Sequence, residues 1–182
     1  FLDIPYPFCL MLATYEIRKG HEHLIRAFRI VVDRCPGTVL LMYGYGSTTE
    51  QERIQRQIKN YRLDNCVHLC GFTGHTSWLI QQAEMVVVPS QAYESFGLTI
   101  IEAMALSTPV VVTDTGGMPE VVSTTGAGLV CIKQDVPAFA NAMVKLLRDP
   151  TLRAEMGDNG RLAYESRYTA VRMAKSYYKQ II

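Results

Sequence analysis

From Phe8 to about residue 131, short runs dense in Val, Leu, Ile and Met alternate with stretches whose apolar residues recur at three- and four-residue spacing. That alternation is the mark of βαβ units, which assemble a parallel sheet with helices on both faces. The runs predicted as strands are Phe8–Ala13, Thr38–Tyr43, Cys66–Leu69, Met85–Val88, Pro109–Thr113 and Gly128–Cys131. They are near-continuous apolar runs, as expected for strands covered on both sides. The predicted fold class is therefore α/β, an open Rossmann-like parallel sheet of about six strands.

Between the strands, His21–Cys35 puts Leu24, Ala27, Phe28, Val31 and Val32 on one stripe and ends at Pro36-Gly37, a breaker pair. Thr49–Tyr61 is predicted as a surface helix, with Thr49 and Glu52 at capping-box spacing. A helix is expected to begin near Phe96, and Pro119 suits another start. Asp135 can cap a helix over Val136–Arg148 that ends at Asp149-Pro150, and the remainder reads as helix to Ile182. Only Phe1–Pro7, with Pro5 and Pro7 imposing an extended path, has the character of a linker.

Composition narrows the picture. With 182 residues, 48% hydrophobic and 19% charged, the chain can bury a core and is expected to form one domain over residues 1–182. Lys plus Arg number 18 and Asp plus Glu 17, and a net charge of +1 argues against nucleic acid as a partner. The longest apolar runs are strand-sized, too short for a bilayer. Residue 1 is Phe and no secretory signal pattern follows, so the expectation is a piece of a longer chain. Five cysteines, an odd number in apolar context, suit buried thiols in a reducing compartment, and the expected location is cytoplasmic.

In an open parallel sheet, ligands bind outside the carboxyl ends of the strands, so the following loops carry the candidate chemistry. After the first strand, Arg18 and Lys19 place two cations at a helix start, where an anion is already favoured. After the second, Gly44-Tyr45-Gly46 lets a ligand approach the backbone but lacks the third glycine of a dinucleotide fingerprint. After the fourth, Glu94 and Glu102 border a helix N-terminus at which Gly97 leaves room for an oxygen and Thr99 adds a hydroxyl. Asp114-Thr115-Gly116-Gly117 after the fifth gives a sharp turn. Taken singly, each segment also reads as ordinary surface or turn chemistry.

Together they resemble a known family. Arg18-Lys19-Gly20, Gly44-x-Gly46, Val67-x-x-x-Gly71, Pro89-Ser90, Glu94-Ser95-Phe96-Gly97-Leu98 with Glu102-Ala103-Met104-Ala105, Pro109-Val110-Val111 and Gly116-Gly117-x-Pro119-Glu120 resemble the carboxyl-terminal half of glycosyltransferase family 4. The resemblance spans almost the whole chain and implies one half of a GT-B architecture. This half would be the nucleotide-sugar donor-binding domain of a retaining glycosyltransferase, with the amino-terminal acceptor domain absent. It further implies that Lys19 and Arg18 hold the diphosphate and that Glu102 accepts hydrogen bonds from the ribose. Glu94 would touch the transferred sugar, with Glu94 and Lys19 the residues closest to the chemistry. The backbone of Ser95, Phe96, Gly97 and Leu98, with Thr99 nearby, would meet sugar and phosphate, Gly44 would line the donor site, and the backbone around Phe72 and Thr73 would meet the base. No metal or other cofactor is expected, because cations and helix N–H groups supply the charge and no Asp-x-Asp is present. Three places depart from the family: Ala13-Thr14 stands where Gly-Arg is frequent, Ser107 replaces a glycine before the Pro-Val-Val strand, and the turn before Leu129 reads Thr124-Thr125-Gly126-Ala127-Gly128, close enough to keep the fold.

Other features carry less. Cys66, His68 and Cys70 share a strand face, but no fourth ligand is signposted, and a structural role is favoured over zinc. His21, His23 and His75 read as solvent-facing or loop histidines, with His21 bordering the site, and Trp78 as helix packing. The tail sets Val171, Ala174, Tyr177, Tyr178, Ile181 and Ile182 near one stripe and Arg172, Lys175 and Lys179 elsewhere. That pattern favours a face for the missing domain over peripheral membrane contact. The alternatives to sugar transfer are a non-catalytic nucleotide-binding or regulatory module and a GT-B epimerase- or phosphorylase-like domain.

Overall fold

The computed structural model describes residues 7–181, with side chains described at all of these except 173, 176, 177 and 179–181. The proposed linker over residues 1–6, and the tail assignments to Tyr177, Lys179, Ile181 and Ile182, lie outside what is described. Six parallel strands form one sheet in the order β3-β2-β1-β4-β5-β6. They are β1 (Phe8–Leu12), β2 (Val39–Tyr43), β3 (Val67–Gly71), β4 (Met85–Val88), β5 (Val110–Thr113) and β6 (Gly128–Cys131). All six expected strands are present, within one or two residues of the expected bounds.

The apolar runs are continuous because alternate residues of each strand enter different cores. Cys9 and Met11 of β1, Leu40 and Met42 of β2, and Val87 of β4 face one side, against α1 (His21–Arg34), α2 (Thr48–Asn60) and α6 (Val136–Arg148). Phe8, Leu10, Leu41, Val86 and Val112 face the other, against α3 (Thr76–Gln82), α4 (Leu98–Ala105) and α5 (Met118–Thr125), with Ala163 of α7 (Pro150–Ala163) joining them. Trp78 packs half-buried against this second core, as expected of a helix-packing residue.

Three local expectations need correction. The capping box at α2 is formed by Ser47 and Glu50, not Thr49 and Glu52: the Glu50 N–H donates to Ser47 Oγ at 3.3 Å and the Ser47 N–H to Glu50 Oε2 at 2.8 Å. The helix after β4 starts at Leu98, two residues later than expected, with Gly97 as its cap. The carboxyl-terminal segment is not one continuous helix. α7 runs into a π-helical turn over Tyr164–Tyr168, Thr169 is extended (φ −68°, ψ 145°), and α8 (Ala170–Ile181) follows. Among the described residues, no helix is long and apolar enough to cross a membrane.

Candidate functional site

The strand order reverses between β1 and β4, the place where an open α/β sheet leaves a crevice at its carboxyl edge. Two loops frame it. The first leaves β1, makes a single 3-10 turn at Ile17–Lys19 and enters α1 through Gly20; the second leaves β4 at Pro89 and enters α4 through Gly97. The loops are locked together: the Gln91 N–H donates to the Arg18 carbonyl at 2.8 Å. Gly20 has φ +80°, and a Cβ there would fall 1.9 Å from the Pro89 carbonyl oxygen, so only glycine permits this approach.

Between the loops lies a cavity of about 270 Å³, lined by the end of β1, by Lys19, and by residues 87–90 and 94–99. It holds Lys19, Glu94, Ser95, Phe96, Gly97, Leu98 and Thr99 together. Lys19 Nζ meets Glu94 Oε2 at 2.6 Å, with the two side chains 18% and 14% exposed. The Ser90 hydroxyl donates to the same oxygen at 3.3 Å. Ser90 is itself held from beneath, its carbonyl accepting from Thr113 Oγ1 at 2.5 Å and Thr115 Oγ1 at 2.9 Å. The Gly117 N–H donates to the Glu94 carbonyl at 3.2 Å, so the glycine pair after β5 fixes the carboxylate's backbone.

The mouth of α4 opens on this cavity. Gly97 takes a left-handed conformation (φ 74°) and offers no capping side chain, and the first N–H groups of a helix have no intrahelical acceptor. A lysine ammonium, free amide donors and a helix dipole thus converge on one space, an arrangement suited to a multiply charged anion.

The remaining expected residues sit around this centre. Arg18 does not line the cavity. Its Nε pairs with Glu16 Oε2 at 2.7 Å and its Nη1 donates to the Tyr93 carbonyl at 3.4 Å. Thr14 donates its hydroxyl to Glu16 at 2.6 Å. That hydrogen bond and then Arg18 hold the Glu16 carboxyl below its usual range. Glu102 is exposed on α4, its carboxyl pushed above the usual range by the protein around its base. Gly44, Phe72 and Thr73 follow β2 and β3, on the other side of β1 from the α4 mouth. There the Gly44 N–H donates to the Gly71 carbonyl at 2.8 Å, and the exposed rings of Tyr45 and Phe72 meet edge to face at 6.5 Å.

The histidines differ from expectation. His21 and His23 are 2% and 7% exposed, His21 packed edge-on against Tyr15 and His23 against Phe139 of α6; His75 alone is exposed, at the start of α3. Burial, then the neighbouring Arg53, holds His21 down to about 4. Among the described residues, no group of three or more His, Cys, Asp or Glu side chains is placed to hold a metal ion. Cys66 and Cys70 instead direct their thiols to the Leu63 and His68 carbonyls. Two residues that matter to the geometry had no assignment from sequence: Ser90, whose place beside the strand-four motif is a visible signal, and Tyr15, for which the sequence carries none.

A sequence model of the family described as "Glycosyl transferases group 1" matches residues 3–163. The chain is 34% identical over 143 residues to a glycogen synthase of Mycobacterium tuberculosis, covering 78% of this chain and 34% of that protein. Its fold superposes on a sucrose-phosphate synthase from Thermosynechococcus elongatus with a TM-score of 0.85 and 32% identity, covering 96% of this chain and 45% of that one. It also superposes on Anabaena HepE, crystallised in complex with UDP, with a TM-score of 0.88 and 24% identity, covering 96% and 48%. The chain thus spans between a third and a half of each of these three proteins. With a six-stranded Rossmann-like sheet and a family match over most of its length, the chain belongs to the glycosyl transferases group 1 family, whose domains are of the GT-B type.

Proposed function

We propose that this chain is the carboxyl-terminal, donor-binding half of a retaining glycosyltransferase of family 4, which moves a sugar from a nucleoside-diphosphate sugar to an acceptor. The observation that carries the reading is the convergence of Lys19, Glu94 and the open end of α4 on one cavity at the switch point of the sheet. Breaking a sugar–phosphate bond develops negative charge on the departing diphosphate and positive charge at the anomeric carbon. A fixed ammonium and amide donors therefore favour the transition state over the ground state. In this reading Lys19 and the Leu98 and Thr99 N–H groups take the phosphates, and Glu94 takes hydroxyls of the transferred sugar. Glu102 meets the ribose, and the loop from Gly71 to Thr73 meets the base. The UDP bound to HepE supports a nucleotide ligand for this type of domain. Arg18, paired with Glu16, acts at the rim; the chemistry requires no metal.

The acceptor and the groups that bind it belong to an amino-terminal domain outside this chain. The exposed Val171 and Tyr178 of α8 support a contact between the tail and that domain. The proposed compartment is the cytoplasm. Calorimetric titration of the chain with UDP, GDP and ADP is expected to show weak binding of at least one, and the chain alone is expected to transfer no sugar. Silence from all three nucleotides would make it a scaffold or regulatory module, and sugar transfer at the rate of a full-length relative would refute the half-enzyme assignment.

A further inference from the structure

Tyr15 is 1% exposed, yet it stands where three ligand-facing loops meet. Its phenolic oxygen accepts a hydrogen bond from the Gly71 N–H at 3.0 Å, at the end of β3. Its own N–H donates to the Tyr45 carbonyl at 2.9 Å, in the loop after β2, and its carbonyl accepts from Arg53 Nη2 of α2 at 2.8 Å. Its ring stands edge-on to His21, the first residue of α1, at 5.6 Å between centroids, and His21 lies two residues beyond Lys19.

Apart from the Tyr45–Phe72 ring contact and the His75 N–H donating to Thr73 Oγ1 at 3.1 Å within the turn, the loop after β3 has little else to fix it. Gly71 has φ +73°, and neither it nor Gly74 would meet any atom within 4 Å if given a Cβ, so the turn runs through open space. Phe72 is 78% exposed. The Gly71 backbone is tied at two points, its carbonyl to the Gly44 N–H and its N–H to Tyr15. The loop that would meet the base is thus anchored to the loop that carries Lys19 through one buried hydroxyl.

We propose that Tyr15 is a positioning residue that fixes the Gly71–Thr73 loop relative to Lys19, so that both ends of one nucleoside diphosphate are read in a single rigid frame. This rests on the nucleotide reading above. A ligand gains from two contacts at once only if their separation is set beforehand; otherwise part of the gain is spent on ordering the loop.

Tyr15→Phe keeps the ring and removes the oxygen, leaving the Gly71 N–H unpaired. Affinities of the 182-residue chain and the variant are compared for whichever of UDP, GDP and ADP binds best, and for inorganic pyrophosphate, which reaches only the Lys19 end. Nucleotide affinity is expected to fall about tenfold, the size of one lost buried hydrogen bond, with pyrophosphate affinity held within about twofold. A general structural defect would lower both alike, so equal losses, or nucleotide binding within about twofold of the unaltered chain, overturn the proposal. Absence of any nucleotide binding by the unaltered chain would sink the nucleotide reading itself, and the role of Tyr15 with it. Should the variant fail to fold, amide exchange of the unaltered chain decides: a Gly71 amide protected like those of β3 supports the anchor, and one exchanging as fast as Gly74 refutes it.

Discussion

Lys19 and Glu94 meet each other before either meets a ligand, and the pairing has consequences for substitution. Their side chains are mostly buried, so removing one leaves the other's charge uncompensated in a confined space. Lys19→Ala is expected to weaken nucleoside diphosphate binding by at least about tenfold, because a charge-assisted contact is lost and a carboxylate is left facing the phosphates. Glu94→Gln frees the ammonium, so the affinity for the bare diphosphate should hold or rise while the affinity for a nucleotide sugar falls. Titration of both variants checks the pair, and equal losses of diphosphate binding would show the roles misassigned. Ser107 tells a quieter story. It has φ +56° at the turn after α4, the left-handed region that favours the glycine the family resemblance leads one to expect there. Ser107→Gly is expected to raise stability by about 0.5 kcal/mol, the strain relieved less the added freedom of the unfolded chain, read as a small rise in Tm.

Elements were legible where one physical cause dominates. The strands are apolar on both sides because both sides are covered, and that signal placed all six. Asp135 capped α6 as expected, its Oδ1 accepting from the Ala138 N–H at 2.8 Å. Boundaries set by competition between similar residues were not legible. Ser47 and Thr49 each have a glutamate three residues on, and only the path of the chain out of β2 selects Ser47. Ser47→Ala is therefore expected to cost about 1 kcal/mol, with Thr49→Ala within about 0.5 kcal/mol of the parent in denaturant unfolding. The reverse ranking would restore the sequence-based box. The candidate site divides in the same way. The Lys19, Glu94 and Gly97 cluster was legible because its motif is long, whereas the part of Tyr15 was not, since its partner is a backbone N–H from a strand far along the chain. The buried histidines escaped because polar residues at a helix start ordinarily face water, and here Tyr15 of the loop after β1 covers His21 while Phe139 of α6 covers His23.

For the whole molecule, His21 contributes to the response to acid. His21 stays neutral in the fold down to about 4 but takes a proton near its ordinary value of 6.5 once unfolded. The unfolded state therefore binds more protons below pH 6.5, and stability falls as pH drops from there toward 4. Between pH 6.5 and 5 the loss from His21 is expected to be on the order of 1 kcal/mol. Denaturant unfolding of His21→Phe at the two pH values should show that much less sensitivity, and an unchanged slope would mean that His21 is not the sensor. The same architecture brings Lys19, Glu94 and the start of α4 to one crevice of the sheet, where the proposed function seats the diphosphate. A crystal structure of the chain with a bound nucleoside diphosphate tests that seating most directly. Phosphate oxygens within hydrogen-bonding distance of Lys19 Nζ and the Leu98 and Thr99 N–H groups are predicted. Phosphates seated elsewhere, with the Lys19–Glu94 pair undisturbed, would contradict the account.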